Sequence, residues 1–99
     1  MSGTQISSDG LPPVRKKALF RAWHRGTKEM DLLLGTFADA RLGEMSEADF
    51  ADFERLMEVP DTDLFAWIID RKETPENYDT AVFRAVKAFH LAPGGIVAR

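Results

Sequence analysis

Several residue types and patterns are absent from this 99-residue chain, and each absence excludes a class of function. Cysteine is missing, which excludes a disulfide framework, a thiolate nucleophile and a cysteine-ligated metal site. No apolar run approaches the ~20 residues of a membrane-spanning helix, so we expect no membrane insertion. The two histidines, His24 and His90, lack a metal-ligand spacing, and neither a nucleophile elbow nor a dinucleotide-binding glycine loop is present. These absences favour a binding protein over an enzyme.

Acidic residues are absent from the first basic segment, although the formal net charge of the chain is −3. The basic residues that follow one another there are Arg15, Lys16, Lys17, Arg21, Arg25 and Lys28. The stretch 44–63 is acidic, and Arg55 is its one basic residue. The basic cluster alone would suggest nucleic-acid binding, but the acidic remainder and the lack of a basic aromatic platform argue against it. We expect the two parts to complement each other within the fold or to complement a partner's surface.

Apolar residues recur at helical spacing along residues 13–92, and strand-like alternation and internal repeats are absent. Capping residues, Gly and Pro divide this region into five predicted helices: 13–24, 28–42, a third from Ser46 to before Pro60, a fourth capped by Asp61 or Asp63 and ending near 70, and a fifth opened by Thr74 and Pro75. The sequence therefore predicts an all-α fold, a compact single-domain bundle of five short helices. We expect residues 1–12 to be a disordered lead-in and residues 93–99 a flexible tail.

The joint between the first two predicted helices carries the clearest functional candidates. Gly26 suits a joint because glycine is costly inside a helix and readily adopts a positive φ. Thr27 can cap the second helix, and the helix dipole favours Glu29 and Asp31 in or near its first turn. Arg25 offers a planar, permanently charged fork for a partner's carboxylate. An ordinary helix–turn–helix joint with a solvated charge pair would also account for these residues.

Two segments of the sequence resemble one known family. The motif Arg25-Gly26-x-x-Glu29, with Asp31 two residues later, resembles the signature of the small succinate dehydrogenase assembly factors. The stretch Pro60-Asp61-Thr62-Asp63-Leu64-Phe65-Ala66-Trp67-Ile68 resembles the second recurrent segment of that family. The resemblance covers roughly residues 15 to 91, and both segments occur in the family's order and at a similar spacing.

The resemblance implies a function that needs no catalytic residue on this chain. Members of the family promote covalent attachment of FAD to the flavoprotein subunit of succinate dehydrogenase, so we expect that subunit, or that of fumarate reductase, as the partner. FAD would belong to the partner, with no cofactor bound tightly here, and the free protein would be a monomer. The residues expected to bind the partner are Arg21, His24, Arg25, Gly26, Glu29 and Asp31. The exposed aromatic Phe20 is a further candidate.

The N-terminal residues bear on the compartment. They lack the apolar core of a secretory signal, carry no arginine before Arg15 and include Asp9, which argues against both secretion and mitochondrial import. We therefore expect a bacterial cytoplasmic protein rather than a mitochondrial one.

Two alternatives stay open from the sequence. The chain can be a generic helical adaptor that docks another protein through the corner from Arg25 to Glu29. It can also be a small enzyme that uses His24 with Glu29.

Tight binding of free FAD is not expected. A bundle this small uses its apolar surface for its own core, and the sequence has no loop that would cradle phosphates. Titration of the pure protein with FAD, followed by flavin fluorescence, should show no saturable binding. A dissociation constant in the low-micromolar range would contradict this prediction.

Overall fold

The structure, a computed structural model, describes residues 10–91, which form five α-helices joined by short connections. The helices are α1 (Pro13–Trp23), α2 (Lys28–Arg41), α3 (Glu47–Met57), α4 (Asp61–Ile68) and α5 (Ala81–Leu91), with 3₁₀ turns at Leu42–Glu44 and Glu76–Tyr78. No strand occurs between residues 10 and 91, and no helix there is long and apolar enough to cross a membrane. The prediction of an all-α, single-domain fold with five short helices is confirmed. The expected lead-in and tail lie outside the described residues, apart from residues 10–12.

Two of the predicted helix caps are present in the structure. The Thr27 hydroxyl accepts a hydrogen bond from the backbone N–H of Met30 at 3.3 Å, at the start of α2. The Ser46 hydroxyl accepts one from Asp49 N–H at 3.1 Å, at the start of α3. Each cap satisfies one of the backbone donors that a helix leaves free at its first turn.

The start of α4 differs from the prediction. Neither Asp61 nor Asp63 caps this helix, because Pro60 occupies the N-cap position and Asp61 is already the first helical residue. The Asp61 carboxylate instead accepts a hydrogen bond from the Arg25 side chain. The helix ends at Ile68, and Asp70 just beyond it adopts a φ of 62°. Asp61 and Asp63, which lie in the first turn of α4, still interact favourably with the helix dipole.

The start of α5 was also predicted wrongly. Thr74 and Pro75 do not open the helix but precede the 3₁₀ turn Glu76–Tyr78, after which Asp79 leaves the helical region with ψ at 67°. The helix begins at Ala81, where the Thr80 hydroxyl accepts a hydrogen bond from Phe83 N–H at 3.1 Å. The hydrogen bond from the Arg84 side chain lowers the pKa of the Asp79 carboxyl. Thr80, six residues after Thr74, therefore supplies the cap that the sequence predicted at Thr74.

The core is built from the predicted apolar stripes. The buried stripe of α2 contains Met30, Leu33, Leu34, Phe37 and Ala38, and that of α3 contains Phe50, Phe53, Leu56 and Met57. The Phe37 ring stacks on Phe53 with a centroid distance of 6.1 Å and meets Phe89 of α5 edge-on at 5.6 Å. These aromatic contacts join α2, α3 and α5 around one centre.

Gly35 allows α1 and α2 to pack closely. It is buried in α2, and the Trp23 indole at the end of α1 lies directly over it. A Cβ atom at position 35 would lie 2.2 Å from Trp23 Cδ2, far inside van der Waals contact. Close packing of α1 on α2 accounts for this glycine. The α1–α2 pair is the most extensively packed pair of helices among the described residues.

Gly35→Ala should destabilise the fold. The added methyl group must displace the indole of Trp23, and overpacking of this kind costs about 1–3 kcal/mol. Urea denaturation measures the change in the free energy of unfolding. Gly43→Ala is the matched control, because a Cβ there meets only Leu11 Cδ2 at 3.6 Å. Equal effects of the two substitutions would show that the Trp23–Gly35 contact is not decisive.

Candidate functional site

The corner, defined as residues 24–27 between α1 and α2, is held by backbone conformation and by one carboxylate. Gly26 has a φ of +115°, a conformation that side-chain-bearing residues rarely adopt, although the space around its Cα is open. The Asp31 carboxylate accepts hydrogen bonds from the backbone N–H groups of Arg25 and Gly26. Asp31, which the sequence analysis assigned to the partner-binding site, therefore holds the backbone of the corner in place. Gly26 is required there for its backbone angle.

The Arg25 side chain is engaged within the fold. Its Nε donates to Asp61 Oδ1 at 2.8 Å, Nη1 donates to the Met57 carbonyl at 2.7 Å, and Nη2 donates to the Val59 carbonyl at 2.7 Å. Only 9% of the side chain is exposed. The expectation that Arg25 offers a free fork to a partner is thus corrected. The guanidinium matches the turn between α3 and α4, whose carbonyl groups have no helical partner.

His24, the first residue of the corner, and Glu29, two residues after its end, are exposed. Glu29 lies in the first turn of α2. The His24 ring stacks on the Phe20 ring at 3.9 Å, and its Nδ1 lies 2.7 Å from the Phe20 carbonyl oxygen. Because a carbonyl oxygen only accepts, Nδ1 carries the proton in this contact. No hydrogen bond joins His24 to Glu29 in the described part of the chain.

Phe20 is unusual because 60% of it is exposed although it is large and apolar. Its stack with His24 fixes both rings on the outer face of α1, next to the corner. Arg21, also assigned to the site from the sequence, is partly exposed and pairs with Glu58 at 2.8 Å. Aromatic and arginine side chains are common energetic anchors of protein interfaces. The exposed residues near the corner therefore have the composition of an interface.

The basic segment divides between the interior and the surface. Arg15 is 8% exposed, donates to the Leu42 carbonyl at 2.8 Å and lies over the Phe50 ring at 4.8 Å. The sequence contained a signal for this, because Arg15 shares helical spacing with Ala18 and Leu19 on the inner face of α1. With Arg25 also buried, the exposed cations of the segment are Lys16, Lys17 and Lys28, with Arg21 partly exposed.

A groove runs beside the corner, between the first turns of α2 and α4. It is lined by Thr27, Glu29 and Met30 on one side and by Asp61, Thr62 and Phe65 on the other. Sequence reasoning treated these two segments as separate motifs and did not bring their residues together. Residues 10–91 contain no group of three His, Cys, Asp or Glu side chains that could hold a metal ion.

The helical fold and the corner define a class of small all-α proteins that present an exposed acid beside an anchored Arg-Gly turn. The chain belongs to the family described as "Flavinator of succinate dehydrogenase", which matches residues 16–90. It is 39% identical over 77 residues to "Succinate dehydrogenase assembly factor 2, mitochondrial" of Dictyostelium discoideum, covering 78% of this chain and 55% of that protein. The resemblance read from the two motifs is confirmed.

Other relatives carry similar names. The chain is 36% identical over 83 residues to "FAD assembly factor SdhE" of Acetobacter pasteurianus, covering 84% of this chain and 76% of that protein. It is 34% identical over 85 residues to "Succinate dehydrogenase assembly factor 2, mitochondrial" of Danio rerio, covering 84% of this chain and 54% of that protein. The chain thus spans about half the length of the mitochondrial relatives. No solved structure matches it at a significant level.

Arg25→Ala should lower the free energy of unfolding by about 2–4 kcal/mol, because it leaves two carbonyl groups and a carboxylate without their charged donor. Thermal and urea denaturation measure the loss. Arg21→Ala is the control, since it removes a more exposed ion pair and should cost under ~1 kcal/mol. A change of under ~1 kcal/mol for Arg25→Ala would mean that its hydrogen bonds to the α3–α4 turn do not hold the fold.

Proposed function

We propose that this chain is an assembly factor that binds the flavoprotein subunit of succinate dehydrogenase and promotes the covalent attachment of FAD to it. The observation that carries the proposal is the family match over residues 16–90, which includes both the corner and the segment 60–68. The names of the relatives, "FAD assembly factor" and "Succinate dehydrogenase assembly factor 2", agree with this function. The chain acts as a binding protein and not as a catalyst.

The physical basis of such assistance is differential binding. A partner accelerates a step only if it binds the reactive arrangement more tightly than the unreactive one. The flavin and the residue that it joins both belong to the flavoprotein subunit, so this chain needs no nucleophile. Its contribution is to favour the conformation of the subunit in which the bond can form.

The surface that contacts the subunit is the corner together with the outer face of α1. Glu29 is an exposed carboxylate that can accept donors from the partner, and the Phe20–His24 stack offers a rigid aromatic surface. Arg21, His24, Gly26 and Glu29 keep the partner-binding role expected from the sequence. For Arg25, and for Asp31 beside it, the proposed role becomes that of holding the corner, because their side chains bond within the fold.

The remaining expectations form part of the same proposal. The flavoprotein subunit of fumarate reductase is a second partner, FAD stays with the partner, and the free protein is a monomer of the bacterial cytoplasm. Recovery of a flavoprotein subunit in a pull-down from the source organism tests the partner. Recovery of unrelated proteins would instead favour a generic helical adaptor.

Glu29→Ala should sharply reduce covalent flavin labelling of the partner while leaving the fold intact. An exposed charge contributes under ~1 kcal/mol to stability, so the loss would report binding and not unfolding. The variant is expressed in cells lacking the wild-type copy, and flavin fluorescence of the subunit is read in a denaturing gel.

Glu73→Ala, which removes an exposed acid from the loop after α4, is the matched control and should label normally. Normal labelling with Glu29→Ala, at normal protein level, would remove Glu29 from the site. Lost labelling together with a large fall in melting temperature would make Glu29 a residue of the fold.

A further inference from the structure

We infer that Asp61 is a positioning residue, which acts through Arg25 to set the place of the corner and of Glu29 relative to α4. The inference rests on the proposed function for its second experiment only. It concerns a residue of the acidic segment 60–68, which the sequence treated as a separate motif. The argument follows from how the corner is attached to the rest of the fold.

The corner has two kinds of support. Asp31, on the adjacent helix, binds the backbone of Arg25 and Gly26 and so fixes the local shape of the turn. The Arg25 side chain reaches across to residues 57–61 and so fixes where the turn lies in the molecule. The contacts of Asp31 join residues that are close in sequence. The contacts of the Arg25 side chain join residues that are far apart in sequence.

Arg25 matters for this second support because its side chain reaches from the corner to the turn between α3 and α4. Helix α4 packs chiefly against α5, whereas α1 and α2 pack chiefly against each other. The Arg25 guanidinium joins the corner to the start of α4 through Asp61, and to the turn before it through the Met57 and Val59 carbonyl groups and the Met57 sulfur. A displacement of that group would move the corner relative to α4 without disturbing the α1–α2 packing.

Asp61 provides the negative charge among the acceptors of the Arg25 side chain. The other acceptors are the backbone carbonyl groups of Met57 and Val59 and the Met57 sulfur, which are neutral. A cation that is 9% exposed needs an anionic partner, and the Asp61 carboxylate, itself 21% exposed, is 2.8 Å from Nε. Loss of this carboxylate leaves the Arg25 cation with neutral acceptors only and favours a more solvated position of the arginine.

The consequence reaches Glu29 through the groove between α2 and α4. Asp61 forms part of one wall of this groove and Glu29 part of the other. The Arg25–Asp61 contact therefore sets both the width of the groove and the direction in which Glu29 is presented. A partner that contacts Glu29 would therefore bind less tightly after loss of Asp61, even if it makes no contact with Asp61 itself.

Asp63→Ala is the matched control for Asp61→Ala. Asp63 lies in the same first turn of α4, but its carboxylate pairs with Lys72 at 3.6 Å on the surface and is 44% exposed. Both substitutions remove one acid from the same end of one short helix. They therefore share any effect on the helix dipole and on net charge, and differ in the contact with Arg25.

The first experiment uses the free protein. Amide NMR spectra of the two variants should differ at the corner, with the signals of Gly26, Thr27 and Glu29 shifted by Asp61→Ala and unchanged by Asp63→Ala. Unshifted corner signals in Asp61→Ala would overturn the inference. If Asp61→Ala does not fold, Asp61→Glu is compared with Asp63→Glu, because the longer acid keeps the charge but displaces the carboxylate.

The second experiment measures binding to the isolated flavoprotein subunit at a temperature where circular dichroism shows each variant folded. Asp61→Ala should weaken binding about tenfold, the loss expected when one charge-assisted hydrogen bond no longer orients the site. Asp63→Ala should bind as the wild type does. Asp61→Asn should recover only a small part of the affinity, since its amide oxygen can still accept from Nε of Arg25 but carries no negative charge.

The outcomes separate the two proposals. Wild-type affinity in Asp61→Ala, with the wild type binding normally, would overturn the positioning role alone. Equal losses in Asp61→Ala and Asp63→Ala would overturn it as well, because the charge of the helix end would then explain both. Failure of the wild-type protein to bind the subunit would overturn the proposed function, while the NMR result would still decide the role of Asp61.

Discussion

The structure around the corner depends on the pairing of one nearly buried cation. Arg25 cannot be withdrawn from water unless its donors are matched, and the turn between α3 and α4 supplies two carbonyl groups and a carboxylate for them. Asp61, shortly after the end of α3, supplies the carboxylate that meets this requirement. The same requirement explains why an arginine, with donors spread over a planar fork, is suited to a position that a lysine could not fill. That pairing joins the corner to the turn between α3 and α4.

A second constraint is the close approach of α1 and α2. The Trp23 indole lies over Gly35, so the end of α1 is held against the middle of α2. The chain must then reverse direction between residues 23 and 28, which the positive φ of Gly26 makes possible. The two glycines therefore have different roles in the α1–α2 hairpin. Gly35 leaves space for the Trp23 indole, and Gly26 supplies the positive φ of the turn.

The sequence predicted the helices better than it predicted the roles of charged residues. Apolar periodicity identified the stripes of α2 and α3, and hydroxyl residues identified two caps, because these signals are local. The partners of Arg15 and Arg25 lie about thirty residues away, so no local pattern could show that both side chains are buried. The start of α5 was misjudged because Thr74 and Thr80 both resemble caps, and only the backbone at Asp79 decides between them. Glu29 and His24 both lie on the surface, and for Glu29 this exposure was expected from its place in the first turn of α2.

The distance in sequence between Arg25 and its acceptors has a consequence for the order of folding. The α1–α2 hairpin joins residues close in sequence and can form early, whereas the Arg25 contacts must close a loop of some thirty residues. A nascent or partly folded chain would then contain both helices before its turn acquires its final position. Competence to bind a partner through this turn is in that case one of the last properties to appear, so binding would report that the whole bundle has assembled.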